Sequence, residues 1–112
     1  MATVIRTGPA PAFASETLTV STTAVVLTAA TYRTYDSTNQ IRRWAAQATI
    51  TIEDAAIRVT FDGTTPVDAT DIGHVFSAGT VLTLESQTQI ERFKAVRNGG
   101  TNAVINVTYW EG

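Results

Sequence analysis

The chain has 112 residues, with 8 Lys+Arg against 10 Asp+Glu for a formal net charge of -2. That length carries one hydrophobic core, and the balance lacks the basic field that broad nucleic-acid binding needs. Cysteine is absent, which excludes disulfides, thiolate zinc sites and cysteine nucleophiles.

Charged residues are 16% of the chain, well below the roughly 25% of an average soluble domain. Thr (21), Val (11) and Ile (8) together supply over a third of it, and Leu only four. β-Branched residues suit the pleated surface of a sheet and lose rotamer freedom in a helix. Seven of the eight basic residues are Arg, the cation favoured at protein contacts. No apolar run approaches the roughly 18 residues of a spanning helix, and the start has no basic n-region followed by an apolar stretch. The expectation is a protein made in the cytoplasm, with no membrane and no nucleic acid among its partners.

Residues 1–15 read as an extended N-terminal arm ahead of a single domain at 16–112. Pro9 and Pro11 in Gly-Pro-Ala-Pro-Ala exclude both helix and central strand. Fifteen extended residues reach roughly 50 Å. Val4, Ile5 and Phe13 are apolar anchors on the arm, with Arg6 beside them.

From Glu16 the period becomes two, with Leu18 and Val20 against Thr17 and Thr19. Residues 21–23 read as a turn, 24–28 as a second strand and 31–40 as a polar loop holding Tyr32 and Tyr35. Residues 43–52 give the clearest strand: Trp44, Ala46, Ala48, Ile50 and Ile52 share one face, Ala45, Gln47, Thr49 and Thr51 the other. After a turn at 53–56, Ile57, Val59 and Phe61 alternate with Arg58, Thr60 and Asp62.

Asp62-Gly63 and Pro66 end that strand. Loop follows to Gly73, then a short strand at 74–76, a tight turn at 77–80 and a strand carrying Leu82 and Leu84. Residues 86–91 form a polar corner with room for one helical turn. Strand resumes at 92–97. Asn98-Gly99-Gly100 predicts a hairpin joining it to 103–110. There Ile105, Val107 and Tyr109 face one way, and Val104, Asn106, Thr108 and Trp110 the other. About eight short strands with turn signals between them predict an all-β fold, an antiparallel β-sandwich.

Chemistry is sparse. Asp68, Asp71 and His74 are spaced three apart, but on a loop entering a strand. They read as two turn-forming aspartates and a strand-opening histidine, not as metal ligands. Glu53-Asp54 reads as a surface turn. No Gly-x-Ser-x-Gly, phosphate-binding or dinucleotide-binding motif occurs. The expectation is therefore no catalytic, cofactor-binding or metal-binding residue: not an enzyme, and no cofactor.

Trp44, Phe61, Phe76, Phe93 and Tyr109 are expected in the core. Trp110 has two readings, an exposed aromatic patch with Tyr32 and Tyr35 or a cap on one edge of the sandwich. Arg42-Arg43 and Arg92 with Lys94 read as interface or surface charges. The candidate partner contacts are Val4, Ile5, Arg6, Phe13, Arg42, Arg43 and Trp110.

Three stretches carry a resemblance: Ala48-Thr-Ile-Thr-Ile-Glu-Asp-Ala-Ala-Ile-Arg-Val-Thr-Phe-Asp-Gly-Thr-Thr-Pro66, Gly73-His-Val-Phe-Ser-Ala-Gly-Thr-Val-Leu-Thr-Leu84, and Ile90-Glu-Arg-Phe-Lys-Ala-Val-Arg-Asn-Gly-Gly100 with Ala103-Val-Ile-Asn-Val-Thr-Tyr109. Across residues 44–109 the chain resembles small virion proteins of tailed bacteriophages. The resemblance implies a sandwich of the capsid-decoration (cement) type on the outer surface of the head. Its partners would be the major capsid protein and itself, as a homotrimer or other homo-oligomer. No residue-level motif comes with the resemblance. A tail or neck component of the virion is the structural alternative. Residues 57–66 also resemble a sandwich domain of chitin- and hexosamine-degrading enzymes, which leaves a carbohydrate-binding module as the third reading.

Overall fold

The computed structural model describes residues 12–36, 38 and 40–111. Among the described residues nine strands and two short α-helices follow one another: β1 (Ala12–Val20), β2 (Val25–Val26), α1 (Ala29–Tyr32), β3 (Arg33–Asp36), β4 (Ile41–Glu53), β5 (Ile57–Thr60), β6 (His74–Phe76), β7 (Val81–Leu84), α2 (Gln87–Arg92), β8 (Lys94–Arg97) and β9 (Ala103–Glu111). The first sheet runs β1-β9-β4-β3, with β7 also paired to β4; the second runs β2-β8-β5-β6. Every pairing is antiparallel. The expected all-β antiparallel sandwich is the fold.

The core lies between the sheets. Val20, Ile50, Ile52, Leu84, Ile105, Val107 and Tyr109 fill it from the first sheet. Ile57, Val59 and Ala95 meet them from the second, with Phe93 just ahead of β8. Complete burial of an aliphatic or Phe side chain contributes ~1.5–3 kcal/mol. Phe61 packs edge-on against Phe93 and Phe76, with ring centres 6.4 and 6.2 Å away.

The outer face of the first sheet is polar and barely charged. Ser15, Thr108, Thr49 and Thr83 stand in register across β1, β9, β4 and β7. This is where the threonine excess goes: β-branched residues hold the strand conformation while their hydroxyls face water.

Three sequence expectations need correction, and a fourth is met. The strand at the N-terminus opens at Ala12, so residues 12–15, assigned to the arm, pair with the end of β9. The polar loop at 31–40 contains the end of α1 and all of β3. Ser86 caps α2 by accepting from the Gln89 N–H, so the polar corner is the expected helical turn. The Asn98–Asn102 stretch does not make a hairpin. β8 lies between β2 and β5, whereas β9 is flanked on both sides by β1 and β4 and has no free edge for β8. The turn is an arch from one sheet to the other.

The outer face of β5 is closed as well, because the segment from Phe61 to Gly73 folds back over it. All four β5 residues are buried. Pro66 is buried in that loop, and the Thr60 hydroxyl donates to the Thr64 carbonyl. Arg58 lies beneath the loop at 8% exposure. It donates to the Gly73 carbonyl at 3.1 Å, to Asp68 at 3.4 Å, to Asp71 at 3.3 Å and to Asn98 at 3.1 Å. Asp68 also accepts the Gly99 N–H at 3.1 Å. One cation thus ties the loop to the arch.

Candidate partner-binding end

The long strand β4 has 13 residues and serves two bodies. A register shift between Ala45 and Gln47 puts a β-bulge in its ladder with β9. A bulge inserts one residue and reverses which face the preceding side chains occupy. Ala45 and Ala48 are therefore both buried, and Trp44, expected in the core, is turned out at 42% exposure. The alternation of 43–52 is broken at this point. Upstream of the bulge, Ile41–Trp44 pair, among the described residues, only with β3.

The resulting two-stranded ribbon carries aromatic and Arg side chains across from each other. Arg33 is opposite Trp44, and Tyr35 is opposite Arg42. The Arg33 guanidinium lies 4.8 Å from the Trp44 ring centre and 5.4 Å from that of Tyr32. Arg42 lies 5.6 Å from the centre of Tyr35, which is 57% exposed. Exposed contacts of this kind contribute ~0.5–1 kcal/mol each. Arg33 also pairs with Glu91 of α2, which holds the base of the ribbon against the sandwich. Ile41 adds an exposed apolar side chain near the turn.

Four of the expected partner contacts gather near this ribbon. Ala12 pairs with Trp110, Trp110 with Gln47, and Glu111 with Ala45. The start of β1, the end of β9 and the entry of β4 therefore share one end of the first sheet. Phe13 is half-buried against the core there. Arg42 and Arg43 sit on the ribbon, with Arg43 3.5 Å from Glu111. Trp110 is half-buried on the outer face, its indole N–H donating to Thr49 Oγ1 at 3.1 Å. Val4, Ile5 and Arg6 lie outside the described residues.

The aromatic trio of Tyr32, Tyr35 and Trp110 does not form. Tyr32 is buried, its ring centre 5.8 Å from that of Tyr109. Tyr35 and Trp44 are the exposed aromatic residues of the β3–β4 ribbon, each beside an Arg of the other strand. Sequence reasoning placed Trp44 inside and passed over Arg33 and Ile41. The signal was present: Gln-Ile-Arg-Arg before Trp44 puts cations on both faces of a strand expected to bury one of them.

Elsewhere the polar groups are held in the fold. Asp68 and Asp71 turn to Arg58, with Asp71 closing a short 3-10 turn in the left-handed conformation at φ 59°. His74 opens β6 as expected, its ring centre 6.1 Å from that of Phe61. Among the described residues, no group of three His, Cys, Asp or Glu is placed to hold a metal ion. The Thr64 N–H and hydroxyl hold the Asp62 carboxyl below its ordinary pKa. Burial, then the neighbouring Glu16, push the Tyr109 hydroxyl far above the usual tyrosine value. It stays a donor to Glu16, which also accepts the N–H and hydroxyl of Thr28.

Among the described residues, no helix is long and apolar enough to cross a membrane. Comparison with family models, curated proteins and solved structures gives no match to this chain.

Proposed function

We propose that this chain is a structural protein of a tailed-phage virion, of the capsid-decoration type, which docks on the major capsid protein through the β3–β4 end. The observation that carries the docking surface is the solvent-facing Trp44, Tyr35, Arg33 and Arg42 on a ribbon clear of the core. Trp, Tyr and Arg dominate binding energy where interfaces exclude water. The phage assignment itself comes from the sequence resemblance over residues 44–109. A self-associating protein on a closed shell makes several such contacts together, so modest individual affinities suffice.

The carbohydrate-binding alternative asks for bare coplanar rings. Here guanidinium groups lie over Trp44 and Tyr35, and Tyr32 is internal. Protein docking accounts for these pairs better, since a partner carboxylate or carbonyl can bind Arg while the ring is covered.

Particles of the encoding phage, disrupted and separated into heads and tails on a density gradient, test the assignment. Mass spectrometry is expected to find this chain with the heads in high copy. Recovery with tails would move its role to tail or neck, and absence from both would overturn the virion assignment.

Trp44→Ala is expected to weaken attachment to heads about 30-fold, the ~2 kcal/mol of an interface anchor. Thermal stability should barely change, because Trp44 is not a core residue. Arg42→Glu with Arg43→Glu should behave alike, since exposed pairs contribute only ~0–1 kcal/mol to folding. Undiminished attachment of these variants would rule the ribbon out as the docking surface.

A further inference from the structure

We infer that Asn98-Gly99 is a latent self-modification site: it deamidates when the 61–73 loop lifts, and the closed loop holds it unreactive. This goes beyond the docking proposal and shares no residue with it.

The pair is the one Asn-Gly in the chain. In such a pair the Gly nitrogen can attack the Asn side-chain carbonyl carbon, because no Cβ on the glycine obstructs the approach or limits its backbone. The bond from Gly99 N to Asn98 Cγ forms and the Asn98 Cγ–Nδ2 bond breaks. The Asn98 NH2 group leaves as ammonia, taking up the proton that the Gly99 nitrogen gives off. Water then adds across either N–C bond of the five-membered imide. One product is an ordinary aspartyl at position 98. The other is an isoaspartyl, whose main chain runs through the former side-chain carbon.

Both reacting groups are tied down in the closed fold. Asn98 Oδ1 accepts from Arg58 at 3.1 Å, which anchors the electrophile to β5. The Gly99 N–H donates to Asp68 Oδ2 at 3.1 Å, which anchors the nucleophile to the loop. The backbone ahead of them is fixed as well: the Arg97 N–H donates to the Ser21 carbonyl at 2.9 Å and the Asn98 N–H to the Ala56 carbonyl at 3.0 Å. Ring closure needs the nitrogen about 3–3.5 Å from the carbon in an aligned approach. Each group must therefore drop a bond to a charged partner, the stronger class of hydrogen bond. Arg58 and Asp68 are bonded to each other at 3.4 Å, so the two restraints act together. Asp68 belongs to the loop folded over β5, and lifting the loop frees the nucleophile. Local openings of this kind cost less than global unfolding.

The reaction runs one way and favours the open loop. Gly99 is exposed, so water reaches the imide. The product sets a third carboxylate beside Asp68 and Asp71, with the Arg58 guanidinium to serve all three. The isoaspartyl form also lengthens the arch between β8 and β9 by one main-chain carbon. A modified arch thus records that the loop has lifted.

The full-length chain is held in mildly alkaline buffer made with heavy-oxygen water, and position 98 is followed by peptide mass spectrometry. The Asp68 side chain is 40% exposed, so Asp68→Ala should keep the fold, which a thermal melt checks. This variant is expected to deamidate about 10-fold faster than the unsubstituted chain, from loss of one hydrogen bond to a charged group. The urea-unfolded chain should react faster still. Gly79→Ala, strained outside the loop and the arch, should match the unsubstituted chain. Equal rates in the folded and unfolded chains would overturn the inference, since nothing would then hold the site shut. So would an Asp68→Ala rate that is unchanged, or one that is lower, which would make Asp68 the base driving the reaction. Equal acceleration by Gly79→Ala would overturn it too, by tracing the reaction to global unfolding.

Discussion

Gly73→Ala is expected to lower the unfolding free energy by about 3–4 kcal/mol, the sum of a strained backbone and an overpacked site. Gly73 sits at φ 115°, where L side chains are rare. A Cβ there would lie 2.8 Å from Arg58 Cγ, 3.1 Å from the Val59 carbonyl oxygen and 3.2 Å from Pro66 Cβ. Those atoms belong to β5 and to the loop folded over it, and two of the three are backbone or ring atoms that cannot swing aside. Gly79 is the control: its φ is 90°, but nothing lies within 4 Å of the added carbon. Gly79→Ala should therefore cost only the strain, about 1 kcal/mol. Urea unfolding of the three proteins separates crowding from conformation, with the slope expected to stay constant. Equal midpoints for the two variants would mean the loop yields, and that closure of β5 does not depend on a bare Cα.

Arg58→Ala should cost a similar amount, about 2–4 kcal/mol. The guanidinium side chain is 10% exposed, and its removal strands the Gly73 carbonyl and Asn98 Oδ1 beneath the loop. The remaining acids suffer less. The Asp71 side chain is 86% exposed, so Asp71→Ala should cost under ~1 kcal/mol. Thermal melts of the two variants test this asymmetry, and equal losses would show that Asp71 matters as much as the buried cation. Attachment to heads gives a second contrast. Arg58 bonds to Asn98 and Gly73, beside the arch that leads into Ala103. Trp110, at the proposed docking end, is near the other end of β9. Arg58→Ala should lower the melting temperature and leave attachment unchanged in the cold; Trp44→Ala should do the reverse.

Most of the strands were legible because alternation is local. Ile50 and Ile52, Ile57 and Val59, and Ile105, Val107 and Tyr109 each face the core as their period requires. Pairing was not local, and there the reading failed. Asn98-Gly99-Gly100 signals a sharp turn, but nothing in those residues says that β1 and β4 have already taken both edges of β9. The bulge was hidden for a related reason: Ala45, Ala46 and Ala48 are all small enough for either face, so the pattern did not reveal which was inserted. Arg58 looked like the polar side of a half-exposed strand, because the loop that buries it returns only at residues 61–73. At the β3–β4 end, Arg42, Arg43, Phe13 and Trp110 were picked out by residue type, and the fold brings them to one end of the first sheet. Trp44 was lost to the extrapolated period.

The bulge in β4 also bears on how such a chain can change over generations. On its far side every alteration at Ile50 or Ile52 must be answered by a neighbour in the core. On its near side Arg42 is opposite Tyr35 of β3 and its guanidinium lies over that ring, and beyond that it answers to whatever it meets outside. A lineage can therefore rewrite Tyr35, Ile41 and Arg42 to follow the proposed partner while its scaffold stands still. Diverged copies of this chain should differ most on the ribbon, and differ there in matched pairs across the two strands.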